Sequence, residues 1–244
     1  MPNETVPSVA FVPAAGLGTR MRPLTDKRPK PLVEVAGRAL LDHVLDRLAA
    51  AGIERAVVNV HYLADQIERH LAGRGRPRIA ISDERAQLLD TGGGVAKALP
   101  LLGAEPFVVH NSDTIWHEQG TDNLRRLMTF WSPPRMDLAM LLARRDTSLG
   151  YDGHGDFELD ADGRIRRRAP GTTATYVFAG VSIMAPSLLA DAPPVAFSLN
   201  RPWDQAIASG RACAIVLDGT WMHVGDPAAL AAAERFLGAA HGRG

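Results

Sequence analysis

The chain has 244 residues, 46% of them hydrophobic, enough to bury a sizeable α/β core without disulfides. Lysine and arginine together number 27, as do aspartate and glutamate, so no global basic field grips nucleic acid and no such partner is expected. The one cysteine, Cys213, cannot form an internal disulfide; with no leader-like segment or membrane-length apolar run, the composition predicts a soluble cytoplasmic protein with no membrane partner.

In chain order, residues 8–12 predict a strand that enters a loop rich in glycine and proline. A helix is predicted over 40–51, with Leu41, Val44, Leu45 and Leu48 on one face and a stop at Gly52. A strand over 56–60, a helix over 63–71 and a strand over 78–82 follow. A glycine-rich turn then leads to a helix from about 95 to 101. Strands over 107–109 and 138–143 bracket a helix over 124–131. Strands alternating with helices imply an α/β fold, a mostly parallel, mixed sheet flanked by helices.

After Arg144 the rhythm turns β-rich. Residues 157–159 and 164–168 flank an Asp162-Gly163 turn and predict a hairpin. A long strand is expected over 175–184, another over 214–217, and an Ala-rich helix over 228–237. The Pro-rich patch from Ala192 to Val195 reads as a surface loop. One domain over 1–244 fits, with a first part over about 6–145 and a second over about 146–225.

The strongest chemical signal follows the first strand: Pro13-Ala14-Ala15-Gly16-Leu17-Gly18-Thr19-Arg20-Met21-Arg22-Pro23. A loop of small residues at the carboxyl end of a parallel strand lets backbone N–H groups approach a phosphate. Arg20 can hold a pyrophosphate through two parallel charge-assisted hydrogen bonds. Lys30, between Pro29 and Pro31, is a long cation on a fixed backbone. The common ATPase loop G-x-x-x-x-G-K-[ST] is absent. A dinucleotide fingerprint needs a third glycine where Met21 stands, which counts against an oxidoreductase.

Residues Ala15 to Thr25 and Pro29 to Leu32 resemble the signature of the sugar-1-phosphate nucleotidyltransferases, A-G-x-G-T-R-(M/L)-x-P-(L/F)-T followed by P-K-(P/Q)-(L/M). Leu89-Asp90-Thr91-Gly92-Gly93-Gly94, Asn111-Ser112-Asp113 and Trp221-Met222-His223-Val224-Gly225 also fall in that family's order. The resemblance implies a glycosyltransferase-A-like fold. It also implies Mg²⁺-dependent nucleotidyl transfer from a nucleoside triphosphate to a sugar-1-phosphate, with release of pyrophosphate. Within the family, the short length and the Asp-Thr-Gly-Gly-Gly turn are most similar to uridylyltransferases that use UTP and N-acetylmuramate-1-phosphate in cell-wall recycling. GTP with mannose-1-phosphate is the alternative, and a non-catalytic nucleotide-sugar binder the rival of another class.

The resemblance also implies site roles. Arg20 would meet the β- and γ-phosphates, Lys30 would bridge the α-phosphate and the incoming phosphate, and Asp113 would hold Mg²⁺. Ala14, Ala15, Gly16, Gly18 and Thr19 would wrap the nucleotide. Glu84 would accept the imide N–H of uracil or guanine, with a solvated surface glutamate as the alternative. Gly93 and Gly94 would leave room over the base. The sugar would meet Gly150, Gly155, Asp156 and Gly180, so 6–145 would be the nucleotide-binding part and 146–225 the sugar-binding part. His223 stands where the family carries a second metal-binding aspartate, and neutral imidazole suits softer metals than Mg²⁺. Three arrangements stay open: His223 binds a phosphate or metal itself, Asp226 substitutes, or one metal suffices. Asp226, just before Pro227, also reads as a helix N-cap.

Overall fold

The computed structural model describes residues 6–193 and 195–241, so the Pro-rich patch lies partly outside the described residues. Strand β1 (Val9–Pro13) enters the glycine loop, which single 3₁₀ turns at Thr19–Met21 and Lys30–Leu32 fold back toward a small hairpin, β2 (Glu34–Val35) and β3 (Arg38–Ala39). Then come α1 (Leu40–Ala50), β4 (Arg55–Val60), α2 (Ala64–Leu71), β5 (Arg78–Asp83), α3 (Asp90–Leu102) and β6 (Phe107–His110). The chain continues through β7 (Thr114–Glu118), α4 (Asn123–Phe130), β8 (Leu138–Arg144), β9 (Phe157–Leu159), β10 (Ile165–Arg167) and β11 (Tyr176–Met184). It ends with α5 (Asn200–Ala208), β12 (Ala212–Val216), β13 (Gly219–His223) and α6 (Pro227–His241).

The main sheet is mixed, as expected. Strands β5, β4, β1 and β6 lie side by side and parallel, β11 runs antiparallel to β6, β8 antiparallel to β11, and β12 parallel to β8. Its strands alternate side chains between two cores. Ala10, Val12, Val58 and Leu141 meet α1, α2 and α4 on one face; Phe11, Val57 and Met140 meet α3 and α5 on the other. Fully burying a side chain such as Phe11 or Leu45 stabilises the fold by about 1.5–3 kcal/mol. Strand β11 pairs in its first half with β9 and in its second with β6, so the second part of the chain is woven into the sheet of the first.

Several elements differ from expectation, among them the β2–β3 hairpin. Helix α3 begins at Asp90 rather than near Val95, and carries Gly92, Gly93 and Gly94 in its first turns. Glycine disfavours a helix by ~1 kcal/mol, but here tertiary contacts decide: Gly92 N and Gly93 N both donate to Phe197 O. Helix α5 is absent from the expected elements; its Pro202 sits in the first turn, where no intrahelical N–H is lost. The antiparallel ribbon of β7 and β13, with Trp116 opposite Trp221, was also not predicted.

Candidate active site

The carboxyl ends of β1, β4, β5 and β6 converge on one cavity of about 470 Å³, at the edge where open α/β sheets bind ligands. The glycine loop supplies Ala14, Ala15, Gly16, Gly18, Thr19 and Arg20 to its wall. Its shape has local causes. Gly18 takes φ +63°, and a side chain there would press on the Cβ of Lys30 and on Thr25. Thr25 Oγ1 donates to Gly18 O at 2.8 Å, and Tyr62 Oη donates to Thr25 O at 2.9 Å. At the other end Ser112 Oγ donates to Pro13 O at 2.6 Å. Ala14 N donates to Asn59 Oδ1 at 2.6 Å, so this amide is already engaged and cannot join a phosphate cradle unchanged.

Lys30 and Asp113, 83 residues apart in sequence, meet at 2.7 Å between Nζ and Oδ2. His223 Nε2 lies 3.6 Å from the same oxygen. Burial would raise the carboxyl pKa of Asp113, but the His223 imidazole and the Lys30 ammonium outweigh it and hold the group well below the usual carboxylate range. The His223 ring is fixed by stacking on Trp221, at 5.9 Å between centroids and 9° between planes. Arg20 lines the same cavity, exposed and, among the described residues, in no ion pair. The arrangement presents an exposed arginine, a lysine and a half-buried carboxylate to one anion-sized space.

Beneath the 111–113 loop, His110 is fully buried. It stacks on Trp116 at 5.4 Å, and the Arg47 guanidinium lies 3.8 Å over the same indole. Burial pushes the His110 imidazole pKa down to about 3, with the Arg47 charge acting in the same direction.

Several expected site residues are placed otherwise. Glu84 reaches the cavity wall but is fully buried. Its Oε1 accepts from Asn59 Nδ2 at 2.7 Å and its Oε2 from Leu89 N at 3.1 Å, so the carboxylate ties β4 to the entry of α3. Gly93 and Gly94 do not line the cavity. A Cβ on Gly93 would strike Val195 O, and one on Gly94 would lie 2.8 Å from Glu84 Oε1; protein fills the room expected for a base.

Gly150, Gly155, Asp156 and Gly180 also lie outside this cavity. Gly150 abuts His223 O and Ala229, Gly155 abuts Ala174 O, and Gly180 abuts Thr114 Oγ1. Asp156 Oδ2 accepts from Phe178 N at 2.9 Å. Asp226 Oδ1 accepts from Ala229 N at 2.9 Å and caps α6, the helix N-cap reading of its place before Pro227. Sequence reasoning missed Asn59, Leu88, Asp90 and Thr91 in the wall. A polar Asn59 near the end of an otherwise apolar strand was the available signal.

The nucleotidyl transferase family matches residues 9–166. The N-acetylmuramate alpha-1-phosphate uridylyltransferase of Caulobacter vibrioides is 52% identical over 235 residues, covering 95% of this chain and 97% of that protein. The protein of the same name from Neisseria meningitidis serogroup B is 37% identical over 241 residues, covering 94% and 98%. In fold, the chain is similar to UDP-glucose pyrophosphorylase, solved in complex with UDP-glucose, with a TM-score of 0.77 at 14% identity over 96% of this chain and 99% of that one.

Proposed function

The chain belongs to the nucleotidyl transferase family, and from that membership we propose that it couples UTP to N-acetylmuramate α-1-phosphate, giving the UDP-sugar and pyrophosphate. The observation that carries this reading is the meeting of Arg20, Lys30 and Asp113 on one cavity beside the glycine loop.

A phosphate oxygen of the sugar-1-phosphate attacks the α-phosphorus in line with the departing pyrophosphate. The bond from the α-phosphorus to the bridging oxygen breaks, and its electrons leave on the pyrophosphate. The attacking phosphate is already ionised at neutral pH, so alignment and charge neutralisation are the protein's task. Lys30, held by Asp113 at 2.7 Å, lies between the α-phosphate and the incoming phosphate and lowers their mutual repulsion. Arg20, exposed in the same cavity, meets the leaving phosphates.

A Mg²⁺ fits Asp113. The ion takes one or two carboxylates and otherwise keeps phosphate oxygens and water, and the described residues gather no cluster of three or more ligating side chains. Bound there, it would offset charge on the triphosphate. His223 is the neighbouring donor to that site. A uridylyltransferase of this kind serves recovery of a cell-wall sugar in the cytoplasm; no described helix is long and apolar enough to cross a membrane.

Pyrophosphate release measured with UTP or GTP against N-acetylmuramate-1-phosphate or mannose-1-phosphate tests the assignment. Turnover is expected with the first of each pair. Turnover only with GTP and mannose-1-phosphate would replace it with the guanylyltransferase reading. Nucleotide binding without turnover for any pair would make the chain a non-catalytic binder.

A further inference from the structure

We propose that Asp90 is the residue that selects the base, accepting the N–H of an imide-type base and rejecting bases that present a lone pair there. The proposal rests on the nucleotidyltransferase reading and concerns the end of the same cavity away from Lys30.

The cavity is electrically polar. Asp113 follows β6, whereas Asp90 opens α3, whose first turns reach Asn59 of β4 and Glu84 after β5 through Gly94. Arg20 and Lys30 therefore draw an anionic tail toward one end, and the base of the same nucleotide extends toward Leu88, Asp90 and Thr91. At the phosphate end the carboxylate of Asp113 is paired with Lys30; at the base end an unpaired carboxylate can accept a proton donor.

Asp90 meets the requirements for that acceptor. It is exposed and lines the cavity. One oxygen, Oδ1, accepts from Thr91 N at 2.6 Å. Among the described residues no hydrogen bond or ion pair engages the other oxygen. Glu84, the other carboxylate in this wall, is fully buried with both oxygens occupied. The backbone of Asp90 lies at φ +57°, in the left-handed region that a non-glycine side chain rarely adopts. Aspartate tolerates this better than most residues, and such strain collects at ligand contacts.

The position is also clamped. Thr91 Oγ1 accepts from Leu199 N at 3.0 Å, and Gly92 N and Gly93 N donate to Phe197 O at 2.8 and 3.1 Å. A strap through Ala196 thus pins the first turn of α3 and keeps Asp90 at a set point. Uracil offers N3–H to the open oxygen, and guanine offers N1–H. Cytosine presents a lone pair at N3, which the carboxylate repels.

Binding of UTP and of CTP to the purified chain, measured by titration calorimetry, tests this without knowledge of the sugar. The preference of the native chain for UTP is expected to fall about 10- to 100-fold in Asp90→Asn, since a hydrogen bond to a charged group is lost and an amide can face either base. Asp90→Gly suits φ +57°, so it should lose the same preference while its melting temperature holds or rises. That separates recognition from a merely structural role. An unchanged UTP-to-CTP ratio in both variants overturns the proposal. Failure of the native chain to bind any nucleoside triphosphate would instead overturn the nucleotidyltransferase reading beneath it.

Discussion

Two glycines show how differently two regions of this molecule use the same residue. A Cβ built on Gly16, in the loop after β1, meets no protein atom within 4 Å, whereas one built on Gly180, at the bulge of β11, runs into Thr114. The first glycine borders empty space that a ligand can enter. The second lets two protein segments touch: Asn111 N donates to Gly180 O at 2.8 Å, which seats the loop bearing Asp113. A small residue near a site therefore signals close approach, but not what approaches.

The sharpest test of this contrast removes a ligand-facing charge. Lys30→Ala should lower kcat by ~10²–10³, the loss typical of one transition-state contact, while circular dichroism shows the native fold; near-normal turnover would remove Lys30 from the mechanism. Gly180→Ala should act in the opposite register, lowering stability by about 1–3 kcal/mol through strain at φ +86° and the clash with Thr114. Urea unfolding reads this directly, and an unshifted midpoint would mean the bulge is not packed as described.

The buried floor gives a smaller, pH-dependent effect. His110 stays neutral in the folded chain until about pH 3, whereas an unfolded histidine takes up its proton near 6.5. Protons thus favour the unfolded chain, so stability should fall as pH drops below about 6.5, by up to ~1.4 kcal/mol per pH unit. His110→Gln should flatten that dependence between pH 7 and 5 in thermal melts; an equal slope in both proteins would rule His110 out as its source. Smallest of all, Gly16→Ala should leave the melting temperature within measurement error yet raise the KM for UTP, because its methyl occupies ligand space.

The parallel strands were legible because strands buried on both faces read as plain apolar runs. Arg20, Lys30 and Asp113 were legible as charges beside small residues or prolines at strand ends. The roles of Gly93, Gly150 and Gly155 were not, because each depends on which distant segment arrives: Val195, His223 and Ala174 respectively. The partners of Glu84 were hidden for the same reason, since nothing local announces that Asn59 and Leu89 will donate to it. The ribbon of β7 and β13 escaped notice because His117 and Glu118 interrupt the apolar pattern and its partner lies about a hundred residues onward.

That ribbon also sets an order of assembly. Val224 N donates to Asp113 O at 2.9 Å, and His223 reaches the Asp113 carboxylate only once β13 has paired with β7. A chain emerging from the ribosome could form the β1–β4–β5 sheet early, yet the surroundings of Asp113 would be finished only once β13, about a hundred residues further on, had been made. Any truncation that stops at the end of the family match, residue 166, would leave Asp113 without this brace. The brace of Asp113 is thereby tied to synthesis of β13.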